Sequence, residues 1–367
     1  MTAATRDALI RDAINADAVF AARFIRSLRE ARSVAPTALF CMFAYLSLFA
    51  YESHARLKKL DPSAISDLTF TAGATDLIAR SRHSLKLFED TRRGVLGQLK
   101  FFADEVAPAH HRAFIKPVRL PLASLWKADV GLTFHNGNLI NSTFATTFAL
   151  GYPPARLFLD GTGETLNKIA QEYGAYFGSI VTVPHPGARS FASAMDPSDL
   201  DSRDVRSATW FRHGFNGNAT PAINMLLSTF HGLANTCNQL LGLDTTNASR
   251  PTIFKLRYLT VYQILRSLTI LTNEHANCLT DRSRTHIDKL MTDPEAIRLI
   301  DPARKPLRNT LMHYGPDTRI DLSQLALNRP LYGLIEEVFQ LSFDEMEQRL
   351  AKLTSRVADE LNQWSKR

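Results

Sequence analysis

From Ala35 to Tyr51 the chain reads APTALFCMFAYLSLFAY, without one charged residue, between Arg32 and Glu52. No other segment constrains the fold as much, because so apolar a stretch must leave water, either for a core or for a bilayer. It falls a little short of the ~20 apolar residues that span a membrane. We read it as a buried core helix, with a membrane-associated helix as the alternative, and no membrane is expected as a partner.

A buried helix needs other helices to cover it, and its flanks supply them. Ala8, Leu9, Ala13, Ala16, Val19, Phe20 and Phe24 recur at helical spacing. Asp61-Pro62 predicts a helix start. Leu77, Ile78, Leu85, Leu87, Phe88 and Leu96 predict a helix over 75–103 that ends near Pro108. Residues 1–112 therefore read as an N-terminal helical region. Over 113–205 prolines and glycines become frequent, and the texture is that of a small mixed α/β insertion or linker domain. Val130 to Phe134 predicts a strand leading into the His135-Asn136-Gly137 turn. Arg156 to Leu159 and Phe177 to Val183 suggest two more strands, and Asp160-Gly-Thr-Gly163 opens a helix over 164–173. Asp196 to Arg206 reads as a solvated connection. Residues 206–367 return to helix: Pro221 to Leu241, Pro251 to about Asp281, a short element at Pro294 to Ile300, and a last helix from Pro330 to Trp364. The whole predicts a mainly α fold, with a helical bundle at the C-terminal end.

Lys and Arg outnumber Asp and Glu by 43 to 36, a net charge of +7, which tilts toward a polyanionic partner such as nucleic acid or an acidic membrane surface. Three cysteines, Cys41, Cys237 and Cys278, lack CxxC or metal-ligand spacing. With no signal-peptide pattern at the N-terminus, they point to a reducing, cytoplasmic setting. No metal or cofactor is expected. His110-His111-Arg112 lacks a third ligand and reads as a surface loop. Asp160-Gly-Thr-Gly163 lacks the Gly-Lys-Ser/Thr of a phosphate loop and reads as an ordinary turn. The polar run Glu274, His275, Asp281, Arg282, Arg284 and His286 reads as a solvated face.

One segment carries more specific chemistry: Arg304-Lys-Pro-Leu-Arg308-Asn309-Thr-Leu-Met-His313-Tyr-Gly-Pro316. Pro306 suits the first turn of a helix, and Gly315-Pro316 is a stop. Ile300, Ala303, Leu307, Leu311 and Tyr314 are expected on the buried side. Arg308, Asn309, Met312 and His313 take the remaining surface.

Arg308-Asn309-Thr310-Leu311-Met312-His313 resembles the signature of the HEPN superfamily, an Arg and a His separated by about four to six residues, the Arg often followed by Asn. Asn309, the helix stop and the surrounding long helices carry the likeness beyond spacing. It covers only the C-terminal part, from about residue 206. The resemblance implies a metal-independent endoribonuclease acting as a homodimer, with two copies of the motif facing each other in one composite site. It implies RNA as substrate and a role as a toxin or antiviral effector, with an antitoxin or regulatory partner. His313 would move a proton, since imidazole titrates near operating pH. Arg308 would hold the scissile phosphate, Asn309 would orient the imidazole or bond a phosphate oxygen, and Arg304 and Lys305 would bind the RNA backbone. Products would be a 2′,3′-cyclic phosphate and a 5′-hydroxyl. Some HEPN toxins carry a modifiable Tyr two positions after the His. Here that position is Gly315, and Tyr314 looks like a core residue. The alternatives are a non-catalytic HEPN-like module that binds nucleic acid or nucleotide, and a helical scaffold whose Arg308 pairs with the last helix.

Overall fold

The apolar run forms most of a helix from Ala35–Leu60 (α2), preceded by Ala3–Glu30 (α1). In a computed structural model, which describes residues 3–63, 69–87, 94–117, 127–151, 158, 161–182, 189–215, 217 and 221–366, these two helices pack on each other and on the rest of the chain. Met42, Leu46, Phe49 and Ala50 of α2 are fully buried. Its hydroxyls are satisfied inside the protein, Ser47 by the Tyr173 hydroxyl at 2.7 Å and Ser53 by that of Tyr176 at 2.9 Å. Among the described residues α2 alone is long and apolar enough to cross a membrane, and 67% of its most apolar window is buried in protein. It packs as a core helix.

The fold is mainly helical, with one small sheet in the middle of the chain. Helix α3 (Ala72–Leu87) lies on α2. Helix α4 (Gly94–Lys100) continues through wide turns to Ile115. The expected end at Pro108 does not occur. The Ala107 and Lys116 N–H groups each bond a carbonyl five residues back, and such wide turns accommodate a proline that has no N–H to give. The Asp61 N–H closes α2 on Leu57 O at 2.8 Å, and the helix expected to start at Asp61-Pro62 would run over 64–68, outside the described residues.

Strands β1 (Val130–His135) and β2 (Asn138–Ser142) form the predicted hairpin, with Asn136 and Gly137 both at positive φ, 49° and 75°. Helix α5 (Thr143–Leu150) follows at once, capped by the Ser142 hydroxyl. Arg156 to Leu159 falls outside the described residues apart from Phe158. Helix α6 spans Thr162–Ile180, so Phe177 to Val183 is not a strand. Tyr173, Tyr176 and Phe177 are all buried, at the i, i+3, i+4 spacing of one helical face. The predicted solvated connection is instead strand β3 (Leu200–Val205), antiparallel to β1 in the order β2-β1-β3. Its Asp, Ser and Arg side chains are exposed because it is an edge strand, where charge blocks further pairing.

Helix α7 (Pro221–Asn235) packs on β2 and precedes α8 (Arg250–His275). Helix α8 is buried on nearly every side, from Ile253 to Leu271, and forms the axis of the core. It stops at His275. The polar run beyond it is a separate helix, α9 (Asp281–Met291), where His286 bonds Glu360 at 2.5 Å and stacks on Trp364 instead of facing solvent. Helices α10 (Pro294–Ile300) and α11 (Lys305–His313) come next. The single terminal helix is in fact two, α12 (Leu334–Phe339) and α13 (Phe343–Ser365). Gln340 at φ 59° breaks them, and the Ser342 hydroxyl accepts the Glu345 N–H to restart the second. One buried apolar cluster draws residues from all three stretches of the chain.

Candidate active site around His313

Helix α11 is built as its sequence predicts at the start: Pro306 occupies the first turn. It ends at His313, just ahead of the Gly315-Pro316 stop. The left-handed residue is Tyr314, at φ 58°, not Gly315. That conformation costs a non-glycine residue roughly 1–2 kcal/mol, and the Tyr314 side chain repays it. Its hydroxyl donates to Asp17 Oδ2 at 2.7 Å, and Lys255 Nζ lies 3.9 Å from its ring centroid. Gly315 serves another need. A Cβ there would sit 2.6 Å from Arg56 Nη2, and Arg56 Nε donates to the His313 carbonyl at 2.7 Å, closing the helix end.

His313 is partly exposed, its side chain 29% accessible. Nδ1 lies 2.8 Å from Glu52 Oε2, and Glu52 also takes Arg82 Nε at 2.8 Å and a second, short bond from Arg82 Nη2. Burial alone would raise the Glu52 carboxyl. The hydrogen bond and charge of His313, with those of Arg82, outweigh it and bring the pKa down to about 2. Because Glu52 is ionised, Nδ1 must be the donor, so Nε2 is the nitrogen left to take or release a proton. The result is a chain from Arg82 through Glu52 to His313, an oriented imidazole of the kind used for proton transfer. Arg56 adds a half-exposed guanidinium at the same helix end, and its Nη groups have no hydrogen-bond acceptor among the described residues.

The other predicted site residues are placed differently. Arg308 was expected on the open face but is only 9% exposed, and Met312 is fully buried. Arg308 Nη1 donates to Asn309 Oδ1 at 3.2 Å. Asn309 in turn donates to Asp317 Oδ2 at 3.0 Å, which folds the loop after Pro316 back on the helix. Asn309 therefore does not orient the His313 ring. Arg319 holds the Asp317 carboxyl far below the usual range, against the effect of burial and with help from Asn309. Five residues apart on one helix, Arg308 and His313 point about 140° from each other around the axis. Arg304 donates to the Val338 carbonyl and lies over the Phe339 ring at 5.2 Å, so it is tied into the fold; Lys305 is exposed.

Sequence reasoning missed Glu52, Arg56, Arg82 and Asp17 because all four come from the N-terminal helices. Asp17 anchors a buried cluster under the site. It accepts from Thr252 at 2.7 Å, Lys255 at 2.5 Å and Tyr314. Burial pulls the Lys255 ammonium below its usual range, although Asp17 opposes the shift. A cleft of about 300 Å³ opens on this cluster, and two of its lining residues, Leu331 and Tyr332, also have positive φ. His110, expected in a loop, is buried in the helical run after α4, bonded to Asp129 O and Thr147 Oγ1 at 3.0 Å each. Among the described residues no three His, Cys, Asp or Glu side chains cluster as a metal site. Comparison with family models, with curated proteins and with solved structures finds no match for this chain.

Proposed function

We propose that this protein is a metal-independent endoribonuclease of HEPN type, cytoplasmic and homodimeric, with a role as a toxin or antiviral effector. The observation that carries the reading is the Arg82–Glu52–His313 chain, which leaves Nε2 of a half-exposed imidazole free to act. In this reading Nε2 takes the proton of the RNA 2′-hydroxyl as its oxygen attacks the neighbouring phosphorus. The bond from phosphorus to the 5′-oxygen breaks, and the proton gained by the imidazole is returned to that oxygen, which leaves as a 5′-hydroxyl and gives a 2′,3′-cyclic phosphate. In this reading Arg56, whose Nε bonds the His313 carbonyl, holds the phosphate and offsets its charge. The test is cleavage of single-stranded RNA in EDTA. His313→Ala should lower the rate at least ~100-fold, the usual scale of general acid–base assistance, with the fold intact by circular dichroism. Undiminished cutting by that variant would refute the proposal.

A second reading is favoured by the burial of Arg308 and the engagement of Asn309 with Asp317: a non-catalytic HEPN-like module that binds nucleic acid. It predicts salt-sensitive RNA binding with no product.

A further inference from the structure

A second cleft, of about 410 Å³, lies between the β1–β2 hairpin, β3, α7 and the end of α13. Its walls are aromatic, formed by Phe134, Trp210, Phe211 and Phe215. The Arg203 guanidinium from edge strand β3 stacks at the rim, 4.4 Å from the Phe134 centroid and 5.3 Å from that of Trp210. Lys366 is the other rim cation, and no Asp or Glu is among the lining residues described.

The deep side is polar. Ser228 and His231, one turn apart on α7, both line it. Ser228 is 2% exposed, and its hydroxyl has no hydrogen-bond partner among the described residues. A helical serine can bond the carbonyl four residues back, so an unpaired hydroxyl buried in the wall of a cavity is a costly feature that a ligand bond would relieve. His231 is held neutral, because burial pulls its pKa down to about 4 despite the Asn362 bond. The orientation of its ring follows from its neighbours. Asn362 Nδ2 donates to Asn235 Oδ1 at 3.2 Å, so Asn362 Oδ1 is the acceptor facing His231 Nε2 at 2.5 Å. The proton is therefore on Nε2, and Nδ1 carries the lone pair.

Flat apolar walls, an inner edge that offers one hydroxyl and one imidazole acceptor, and a cationic rim together describe one kind of ligand. We propose that this cleft binds a nucleobase with its phosphate, the ring stacked on the aromatic walls, its polar edge on Ser228 and His231, and its phosphate on Arg203 and Lys366. The volume falls in the usual ~300–1,000 Å³ range for small-molecule sites. The proposal goes beyond the ribonuclease reading and does not depend on it: none of Glu52, Arg56, Arg82 and His313 lines this cleft.

The shared chemistry has two sources, a free nucleotide or the terminal nucleotide of an RNA, and the test separates them. The full-length protein is titrated at low salt, by calorimetry, with AMP, GMP, CMP and UMP, with the corresponding nucleosides, and with a 5′-phosphorylated tetranucleotide in a His313→Ala background. The mononucleotides contain no internucleotide bond, so ribonuclease failure cannot affect that arm. Saturable binding is expected. Ser228→Ala, which removes an unpaired hydroxyl and should fold at least as well as the parent, should raise Kd roughly tenfold. Arg203→Gln should reduce nucleotide affinity toward that of the nucleoside. Binding of the tetranucleotide alone, with the same two sensitivities, supports the site and assigns it to RNA ends. Binding of none of these probes at millimolar concentration, or binding that either variant leaves unchanged, overturns the proposal.

Discussion

Glu52→Gln tests the centre of the candidate site through acid stability. The Glu52 side chain is 7% exposed, so solvent screens its interactions little. Its pKa falls from 4.5 to about 2 on folding, which corresponds to roughly 3 kcal/mol in favour of the folded state. The sign follows from the direction of the shift. A depressed carboxyl contributes its full stability above the unfolded value, near pH 4.5, and loses it as pH falls through about 2. Urea unfolding of both proteins at closely spaced pH values from neutral to pH 2 reads the effect. Asp317 and the other carboxylates are common to both, so the difference between the curves isolates Glu52. The variant should be less stable at neutral pH by a few kcal/mol, the range for breaking a buried charged contact, and the gap should narrow between pH 4.5 and 2. Parallel curves over that window would refute the assignment of Glu52 as the ionised partner of His313 and Arg82.

Three further outcomes are expected. Glu52→Gln should also lower RNA cleavage, because an amide holds the imidazole less firmly, while RNA binding measured with His313→Ala stays near that of the parent. Lys255→Met should cost about 3–5 kcal/mol by leaving the Asp17 carboxylate buried with hydroxyl donors only, and adding Asp17→Asn should recover a good part of it in denaturant titrations. Tyr314→Phe should cost about 1–2 kcal/mol through loss of the hydroxyl bond to Asp17, readable as a shift in the urea midpoint.

What was legible in the sequence followed how local the determining chemistry was. The β1–β2 hairpin was plain because Asn136-Gly137 supplies both positive-φ residues itself. The start of α11 was plain because Pro306 needs only its own backbone. Its end at His313 was plain from the Gly315-Pro316 stop, but not the left-handed Tyr314, which is held by Asp17 and Lys255 and which no local pattern reveals. Strand β3 was invisible because an edge strand with solvent on its free side has no apolar alternation to show. The polar run from Glu274 to His286 was read as a solvated face, and Glu274, Asp281, Arg282 and Arg284 are exposed; His286 departs, because nothing nearby in sequence announces that Glu360 and Trp364 receive it. The identity of His313 as a candidate group was visible, but its partner was not. Glu52 reads only as the residue that ends an apolar run, and its meaning appears when α2 and α11 meet.

That meeting governs how the protein can be made and divided. Glu52 and His313 are 261 residues apart in sequence, and Tyr314 reaches Asp17 across 297. A nascent chain holds one half of the pair through most of its synthesis, and no proteolytic fragment confined to either end can hold both. Expressing residues 206–367 alone would yield a motif helix whose imidazole lacks its carboxylate and whose last turn lacks Asp17 and Arg56, which hold its end. In this molecule the candidate chemistry belongs to the finished chain.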